Sequence, residues 1–188
     1  MEGLSRRHDR ALLDALESQL PEAFSGGVWR VTAKGRDALR GSTAGGRWSP
    51  PGEFEVLYTS LARTGALTEI GYRLSLEPVW PSRLEHEIHH IAAHTSNSLR
   101  FADVSALSTL GVDIRRYATF DYSITQAIAA AVFFLDFDGL IVPSARSPDL
   151  NLVIFTEKLG IGERLKLEAS ELVNWSAWRA QRERPAVE

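Results

Sequence analysis

Residues 121–142 constrain the fold more than any other stretch of the sequence. Apolar residues at helical spacing, Ile124, Ile128, Val132 and Leu135, predict a helix over residues 121–137. Ser123 and Gln126 have the spacing of a capping box at its start. Asp138-Gly139 then turns the chain into the apolar segment Leu140-Ile141-Val142, which ends at Pro143-Ser144. The stretch therefore predicts a helix that leads directly into a buried strand.

The remaining segments predict a mixture of helices and strands. Helices are expected at 8–20, 62–74 and 166–181, the first with a stripe of Leu12, Leu13, Leu16 and Leu20. Strands are expected at 28–32, 54–59, 84–92, 99–104 and 152–155, although 84–92 also fits a helix. Pro21 and Gly26-Gly27 are expected to break the chain. Strands and helices do not alternate regularly, which favours an α+β fold over a doubly wound sheet.

Composition limits the kind of protein. The 188 residues suit one domain, and 44% hydrophobic with 24% charged residues is typical of a soluble globular protein. A net charge of −3 gives no basic field for general binding to nucleic acid or an anionic membrane. Cysteine is absent, which excludes disulfides, thiolate catalysis and Cys-ligated zinc. No signal peptide or membrane span is recognisable, and a cytoplasmic location is expected.

Residues 45–69 gather the side chains that a phosphorylated, aromatic, glycosidic ligand would need. They include a Gly-Gly turn, Arg47-Trp48, Tyr58 and Glu69. Arginine binds phosphate oxygens through a planar fork of donors, and an aromatic ring can stack on a flat base. A carboxylate can stabilise the positive charge that develops at a sugar carbon when a glycosidic bond breaks.

The motifs along the chain resemble those of the RES domain, a family named for a recurring Arg, Glu and Ser. The matching segments are WRV at 29–31, GGRWSPPG at 45–52, LYTS at 57–60, TE at 68–69, GLIVPSA at 139–145 and NLVIF at 151–155. The resemblance covers residues 29–155 and leaves the N-terminal helix and the C-terminal helix outside. It implies a central split, mixed β-sheet flanked by helices, similar to the ADP-ribosyltransferase toxin fold.

The resemblance also implies a function. RES proteins are toxins of toxin–antitoxin pairs that deplete NAD by cleaving the nicotinamide–ribose bond, with water or phosphate as acceptor. NAD is then a substrate, and no cofactor or metal is expected. The implied partner is an Xre-type helix-turn-helix antitoxin, with a homodimer possible inside a larger complex. Direct nucleic-acid binding and membrane binding by this chain are not expected.

The resemblance assigns roles to both arginines of the motifs. Arg30 matches the Arg of the family name, and Arg47 follows two glycines that allow close approach of the backbone to a ligand. Both are expected on the NAD pyrophosphate. Ser49 stands where the family often has Asn, so it keeps hydrogen-bonding capacity at this substrate position.

Glu69 and Ser144 are the other catalytic candidates. On the helix 62–74, Glu69 points away from the apolar stripe of Leu67, Ile70 and Leu74. The residues alone permit a solvated Glu69 paired with Arg73; the resemblance favours a carboxylate at the ribose, with Ala62, Gly65 and Ala66 leaving room beside it. Ser144 is expected to position groups by hydrogen bonds, because no Ser-His-Asp pattern surrounds it.

Tyr58 and Asn151 complete the expected substrate site. Tyr58, expected at a strand end, could stack on nicotinamide or could be a core residue. Asn151 could brace the loop that carries Ser144.

Three other functions are consistent with parts of the sequence. ADP-ribosyl transfer to a protein or nucleic acid would use the same first step, and a chain that mainly binds its antitoxin would need little activity. His86-Glu87-Ile88-His89-His90 matches the HExxH pattern of zinc peptidases if it is helical. The strand that the resemblance places there would not assemble that motif. Trp175 and Trp178 could pack on the core, form a homodimer or contact the antitoxin.

Overall fold

The fold is α+β, with a mixed six-stranded sheet and helices on both sides of it. The computed structural model describes residues 8–160 and 164–183. Its helices are α1 (Arg10–Glu17), α2 (Arg63–Ser75), α3 (Val104–Ser108), α4 (Ser123–Phe134) and α5 (Trp175–Glu183). Its strands are β1 (Glu22–Ala33), β2 (Val56–Ser60), β3 (His86–Arg100), β4 (Gly139–Pro143), β5 (Leu150–Phe155) and β6 (Leu165–Leu172). Short 3-10 helices lie at Ile114–Arg116 and Thr156–Lys158.

The sheet consists of two three-stranded halves. In one half β3 pairs antiparallel with both β1 and β6, and in the other β5 pairs antiparallel with both β2 and β4. The halves meet at two short junctions, the single register pair Trp29–Ser60 between β1 and β2 and a three-residue parallel pairing of β3 with β4. The expected split of the sheet is therefore present, and β1 and β2 are free to diverge beyond their one contact.

Three apolar clusters hold the layers together. One takes residues from β1 to β5 and packs the two halves of the sheet against each other; it includes Val28, Leu57, Ile91 and Ile141. A second joins α1 and α4 to the β2–β5–β4 half, with Leu16 and Ile128 fully buried. The third places α2 and α5 against β1 and β3. The helix that carries Glu69 is thereby fixed over the β1–β3 half.

Several predicted boundaries are wrong, and each has a physical reason. α1 ends at Glu17, which leaves Leu20 91% exposed instead of on the apolar stripe. Gly26-Gly27 lie inside β1 and do not break the chain, because they pair with Ala93 and Ala92 of β3. A Cβ on Gly27 would lie 2.3 Å from His90 Nε2. The glycine thus admits the ring of His90 from the neighbouring strand.

The region 84–104 contains one long strand, whereas the sequence pattern predicts two. β3 runs without interruption over His86–Arg100, because β1 pairs with it along almost its whole length. The chain beyond it is not strand: Asp103 caps the short helix α3 by accepting from the Ala106 N–H. His86 and His90 therefore lie on a strand, and the helical HExxH geometry is not formed. Among the described residues, no group of three or more His, Asp or Glu side chains is placed to hold a metal.

The segment 166–181, expected to be one helix, is a strand followed by a helix. Residues 165–172 form β6, which pairs with residues 87–93 of β3. The residue types of this segment favour a helix, but the ladder of backbone hydrogen bonds offered by β3 outweighs propensity. Only the second half, α5, is helical, and Trp175 within it is buried against His86 and Trp80.

The prediction of a capping box at the start of α4 is also wrong. The Ser123 hydroxyl donates to Asp121, while the Gln126 amide crosses to the loop before β2 and donates to the carbonyl of Gly46 at 2.9 Å. Helix α4 itself is confirmed over residues 123–134, and β4 follows it as expected. No helix in the described parts of the chain combines the length and apolarity that crossing a bilayer requires.

Asp138 locks the junction of the two half-sheets. Its carboxylate is 3% exposed and accepts hydrogen bonds from the N–H groups of Ser96 and Asn97 and from the hydroxyl of Ser98, at 2.7 to 2.9 Å. Arg164 approaches it at 3.7 Å. A carboxylate in this position fixes the end of β3 at the point where β4 begins to pair with it.

Asp138→Ala is expected to lower the free energy of unfolding by about 3 kcal/mol, because three donors, one of them buried, lose their shared charged acceptor together. Urea unfolding followed by circular dichroism would measure this. Asp14→Ala, on the exposed side of α1, is the control and should stay within about 0.5 kcal/mol of the wild type. A loss of less than about 1 kcal/mol for Asp138→Ala would show that the network contributes little.

Candidate active site

A cleft of about 370 Å³ opens where β1 and β2 diverge. Its walls come from these two strands, from α2, from the loop 42–48 and from the loop between β4 and β5. Five of the sequence-predicted residues line it: Arg30, Arg47, Tyr58, Glu69 and Asn151. Ser144 does not line the cleft itself, but its neighbours Pro143 and Ala145 do. The long, glycine-rich connection between β1 and β2 supplies several of the lining residues.

Glu69 lies at the centre of a hydrogen-bond network. Its Oε1 accepts from the Ser144 hydroxyl at 2.6 Å and from the Asn151 amide at 3.4 Å. The helical wheel correctly predicts that Glu69 points away from Leu67 and Leu74, which are buried in the α2–β1–β3 cluster. No ion pair with Arg73 is found among the described residues, so the solvated pair considered from the sequence is not formed.

Small residues are expected to leave room for a ligand beside Glu69, and this expectation holds for only part of them. Ala66 lines the cleft, but Gly65 does not leave space for a ligand: a Cβ there would lie 2.3 Å from Ser60 Oγ. The glycine instead allows α2 to approach β2 closely. In this arrangement Glu69 of α2 reaches Ser144, which follows β4, and Asn151 of β5.

The hydroxyl of Ser144 uses all of its hydrogen-bonding capacity. It donates its proton to Glu69 and accepts from the N–H groups of Arg146 and Ser147 at 3.1 and 3.2 Å. A hydroxyl has one proton and two lone pairs, and all three are in use. Ser144, 7% exposed, therefore orients the Glu69 carboxylate, and its hydroxyl has no free lone pair for attack on a substrate.

Asn151 carries an unsatisfied acceptor. Its amide group points to Glu69, and its Oδ1 is buried without a hydrogen-bond partner among the residues that the structure describes. Rotating the amide would turn an oxygen toward the carboxylate, so the orientation is fixed by charge. A buried orphan acceptor is costly, and the position in the cleft wall makes a ligand hydroxyl or amide its natural partner.

Arg47 is held between two tyrosine rings. Its Cζ lies 4.8 Å from the ring centroid of Tyr117 and 4.7 Å from that of Tyr122, and the guanidinium donates to the carbonyl of Thr119. Burial lowers the pKa of Arg47, with Arg146 adding to that effect and the tyrosines and Glu69 opposing it. The neighbouring Trp48 is buried in the core.

Arg30 supports the loop that leads to Arg47. Its Nη1 donates to the carbonyls of Ala38 and Arg40 at 2.7 and 2.8 Å. Burial, reinforced by Arg36, lowers the pKa of Arg30 to about 10, while Asp37 and Glu55 counteract the shift. The side chain therefore remains cationic at neutral pH. Thus the Nη1 group of Arg30 holds the loop by hydrogen bonds, and the residue also lines the cleft.

Tyr58 and Ser49 brace the same loop. The Tyr58 hydroxyl accepts from the Trp48 N–H at 2.9 Å and donates to Ser49 Oγ at 3.2 Å, and burial raises its pKa. Tyr58 lies within β2, not at a strand end, and its ring still lines the cleft. Ser49 is 1% exposed and is not part of the cleft wall, so its side chain supports the loop from below instead of meeting a ligand.

Sequence reasoning missed several residues of the cleft. Tyr72, Tyr122 and Phe120 line it, Tyr117 stacks on Arg47, and Gln126 holds the loop through Gly46. They come from α2, from α4 and from the segment before α4, and nothing in their local sequence marks them. Arg146 could have been predicted as a cleft residue, because it follows Ser144 by two positions in the same loop.

The RES domain family model matches residues 27–173, more than the 29–155 covered by the motifs. The NAD(+) phosphorylases MbcT of Mycobacterium bovis and Mycobacterium tuberculosis are 24% identical over 161 residues, which is 82% of this chain and 87% of theirs. A probable NAD(+) phosphorylase of M. tuberculosis, Rv3189, is 33% identical over 115 residues, 61% of this chain and 55% of that protein.

A solved structure supports the fold. The crystal structure of the M. tuberculosis MbcT–MbcA toxin–antitoxin complex superposes with a TM-score of 0.81 at 23% identity, over 93% of this chain and 98% of that one. The family match covers most of the chain and includes every residue of the cleft described above. The chain belongs to the RES domain family.

Proposed function

We propose that this protein is the toxin of a toxin–antitoxin pair and that it cleaves the nicotinamide–ribose bond of NAD with phosphate as acceptor. The observation that carries the proposal is the carboxylate of Glu69, fixed by Ser144 and Asn151 inside an arginine-lined cleft. The relatives named NAD(+) phosphorylases support the choice of substrate and acceptor. NAD is the substrate, and the reaction needs no cofactor.

Each residue has a chemical task in this proposal. When the C–N glycosidic bond breaks, its electron pair moves to the pyridinium nitrogen and nicotinamide leaves as a neutral molecule. Positive charge develops at the ribose carbon, and the Glu69 carboxylate stabilises it and accepts from a ribose hydroxyl. Asn151 Oδ1 accepts from another hydroxyl, and this would satisfy the buried acceptor. Ser144 keeps the carboxylate in place.

The arginines bind the rest of the substrate. Arg47, oriented by Tyr117 and Tyr122, and Arg30, at the base of the same loop, are assigned to the pyrophosphate. Tyr58 is assigned to the nicotinamide side of the cleft. Ser49, expected from the sequence at the substrate, is assigned to the support of Tyr58.

The proposed partner is an antitoxin of the Xre helix-turn-helix type that covers the cleft. The similar crystal structure, that of MbcT with MbcA, is a toxin–antitoxin complex. A homodimer inside such a complex, the likeness to the ADP-ribosyltransferase toxin fold and a cytoplasmic location remain predictions. A peptidase is not favoured, because the histidines of the HExxH pattern, His86 and His90, lie on strand β3.

Incubation of the purified protein with NAD labelled in the adenylate half tests the proposal against ADP-ribosyl transfer. The expected result is loss of NAD with equimolar free nicotinamide, and with all label in small molecules. Label retained on protein or nucleic acid would support transfer instead. Unchanged NAD would support a chain that acts mainly by binding its antitoxin.

A further inference from the structure

A second cavity lies behind the cleft, between α2 and α5. It measures about 450 Å³ and is open to solvent. Its wall includes three arginines, Arg146, Arg179 and Arg182, together with Trp80 and Trp178. Trp178 packs on Gly71 of α2, where a Cβ would lie 2.2 Å from its ring. Helix α5 therefore shapes this groove by docking directly on the helix that carries Glu69.

The groove and the cleft share two lining residues, Tyr72 and Arg146. Arg146 lies over the ring of Tyr72, with its Cζ 3.8 Å from the centroid, and 5.4 Å from the ring of Phe120. Stacking fixes the plane of a guanidinium and leaves the N–H donors at its edge available. These donors stand at the boundary between a solvent-open groove and the proposed catalytic cleft.

Arg146 differs from Arg30 and Arg47, the two arginines assigned to the pyrophosphate, in its contacts. Arg30 donates to the carbonyls of Ala38 and Arg40, and Arg47 to that of Thr119. In the described part of the chain, no acceptor or carboxylate pairs with the Arg146 guanidinium; its contacts are with aromatic rings. A half-buried cation with uncommitted donors is suited to an anion from solution.

Arg146 is also close to the reacting centre along the chain. Its backbone N–H donates to Ser144 Oγ, which in turn donates to Glu69. Arg146 and Glu69 both act on the pKa of Arg47, in opposite directions. The Ser144 loop therefore supplies one cation to the cleft that Glu69 lines, whereas Arg30 lies in β1 and Arg47 in the loop that follows it.

We propose that Arg146 binds the acceptor phosphate, which enters from the groove between α2 and α5 while NAD occupies the cleft. This inference rests on the function proposed above. A phosphate oxygen forms a C–O bond to the ribose carbon as the C–N bond to nicotinamide breaks. The products are nicotinamide and ADP-ribose phosphate, without any redox change. Arg146 would offset the repulsion between the dianion and Glu69 and would hold the attacking oxygen in place.

Steady-state kinetics of Arg146→Gln test the assignment. The expected result is a KM for inorganic phosphate raised by about tenfold or more, with the KM for NAD changed by less than about threefold, because only the acceptor loses a charged contact. Arg146→Lys keeps the charge but lacks the planar fork of donors, so its KM for phosphate should lie between those of the wild type and Arg146→Gln. As water replaces the missing acceptor, the ratio of ADP-ribose to ADP-ribose phosphate at fixed phosphate should rise.

The control variant is Arg83→Gln, an exposed arginine outside both cavities, and thermal melting checks that each variant is folded. An unchanged KM for phosphate in folded Arg146→Gln would overturn the inference, and so would a rise confined to the KM for NAD, which would place Arg146 on the pyrophosphate. Absence of NAD cleavage by the wild-type protein would instead refute the proposed function. The two failures are thus distinguishable.

Discussion

Glu69→Gln is expected to lower kcat for NAD cleavage by about a thousandfold, because the transition state loses the negative charge opposite its developing positive charge. The variant keeps the size of the side chain, and its carbonyl oxygen can still accept from the Ser144 hydroxyl. The KM for NAD should change little, since the charge acts mainly when the bond breaks. Initial rates of nicotinamide release would measure both constants.

Glu17→Gln on the exposed side of α1 is the matched control for this change and should behave as the wild type. Circular dichroism and the melting temperature should also be unchanged in Glu69→Gln, because the carboxylate lies at a cleft and not in the core. A kcat within about tenfold of the wild type would contradict a direct role of the carboxylate in catalysis.

Arg30→Ala is expected to reduce kcat/KM for NAD by about two orders of magnitude. The guanidinium donates two hydrogen bonds to the 38–40 segment, and the loop that follows carries Arg47. Its removal therefore releases the cleft wall and removes a cation assigned to the pyrophosphate. Rates at saturating and limiting NAD separate these effects, because a displaced loop raises KM and a lost transition-state contact lowers kcat.

Arg30→Lys refines the second prediction. An ammonium group keeps the positive charge but cannot reach two carbonyls and a phosphate in one plane, so recovery should be partial. Arg10→Ala, an exposed arginine of α1, is the control. Wild-type kcat/KM in Arg30→Ala would show that neither the loop nor the substrate depends on this guanidinium.

The sequence predicts the elements whose local pattern and tertiary environment agree. Helices α2 and α4 and the strands β4 and β5 combine clear periodicity with buried neighbours, and their predictions are confirmed to within a few residues. The family prediction is confirmed by the match over residues 27–173. The prediction failed at β6 and at Gly26-Gly27, where a neighbouring strand or ring decides the structure and leaves no local sign.

In the site, too, the residues that carry a sequence motif are predicted and those that depend on tertiary contacts are not. Glu69 and Ser144 are predicted from motifs that are 75 positions apart, and the structure joins them by a hydrogen bond. Tyr58 and Gln126 brace the loop through contacts that span 10 and 80 positions of the sequence. Arg47 stacks on Tyr117, about 70 positions away. Such contacts follow from the packed fold, so the pattern of one sequence does not reveal them.

The most direct test of the proposed reaction is the identity of the product that the full-length protein forms from NAD in phosphate buffer, followed by phosphorus NMR and by chromatography of nicotinamide. ADP-ribose phosphate is expected to accumulate in equal amount to nicotinamide, and its formation is expected to depend on phosphate concentration. NAD that stays intact, or a phosphate-independent transfer of ADP-ribose to a macromolecule, would contradict the proposed reaction.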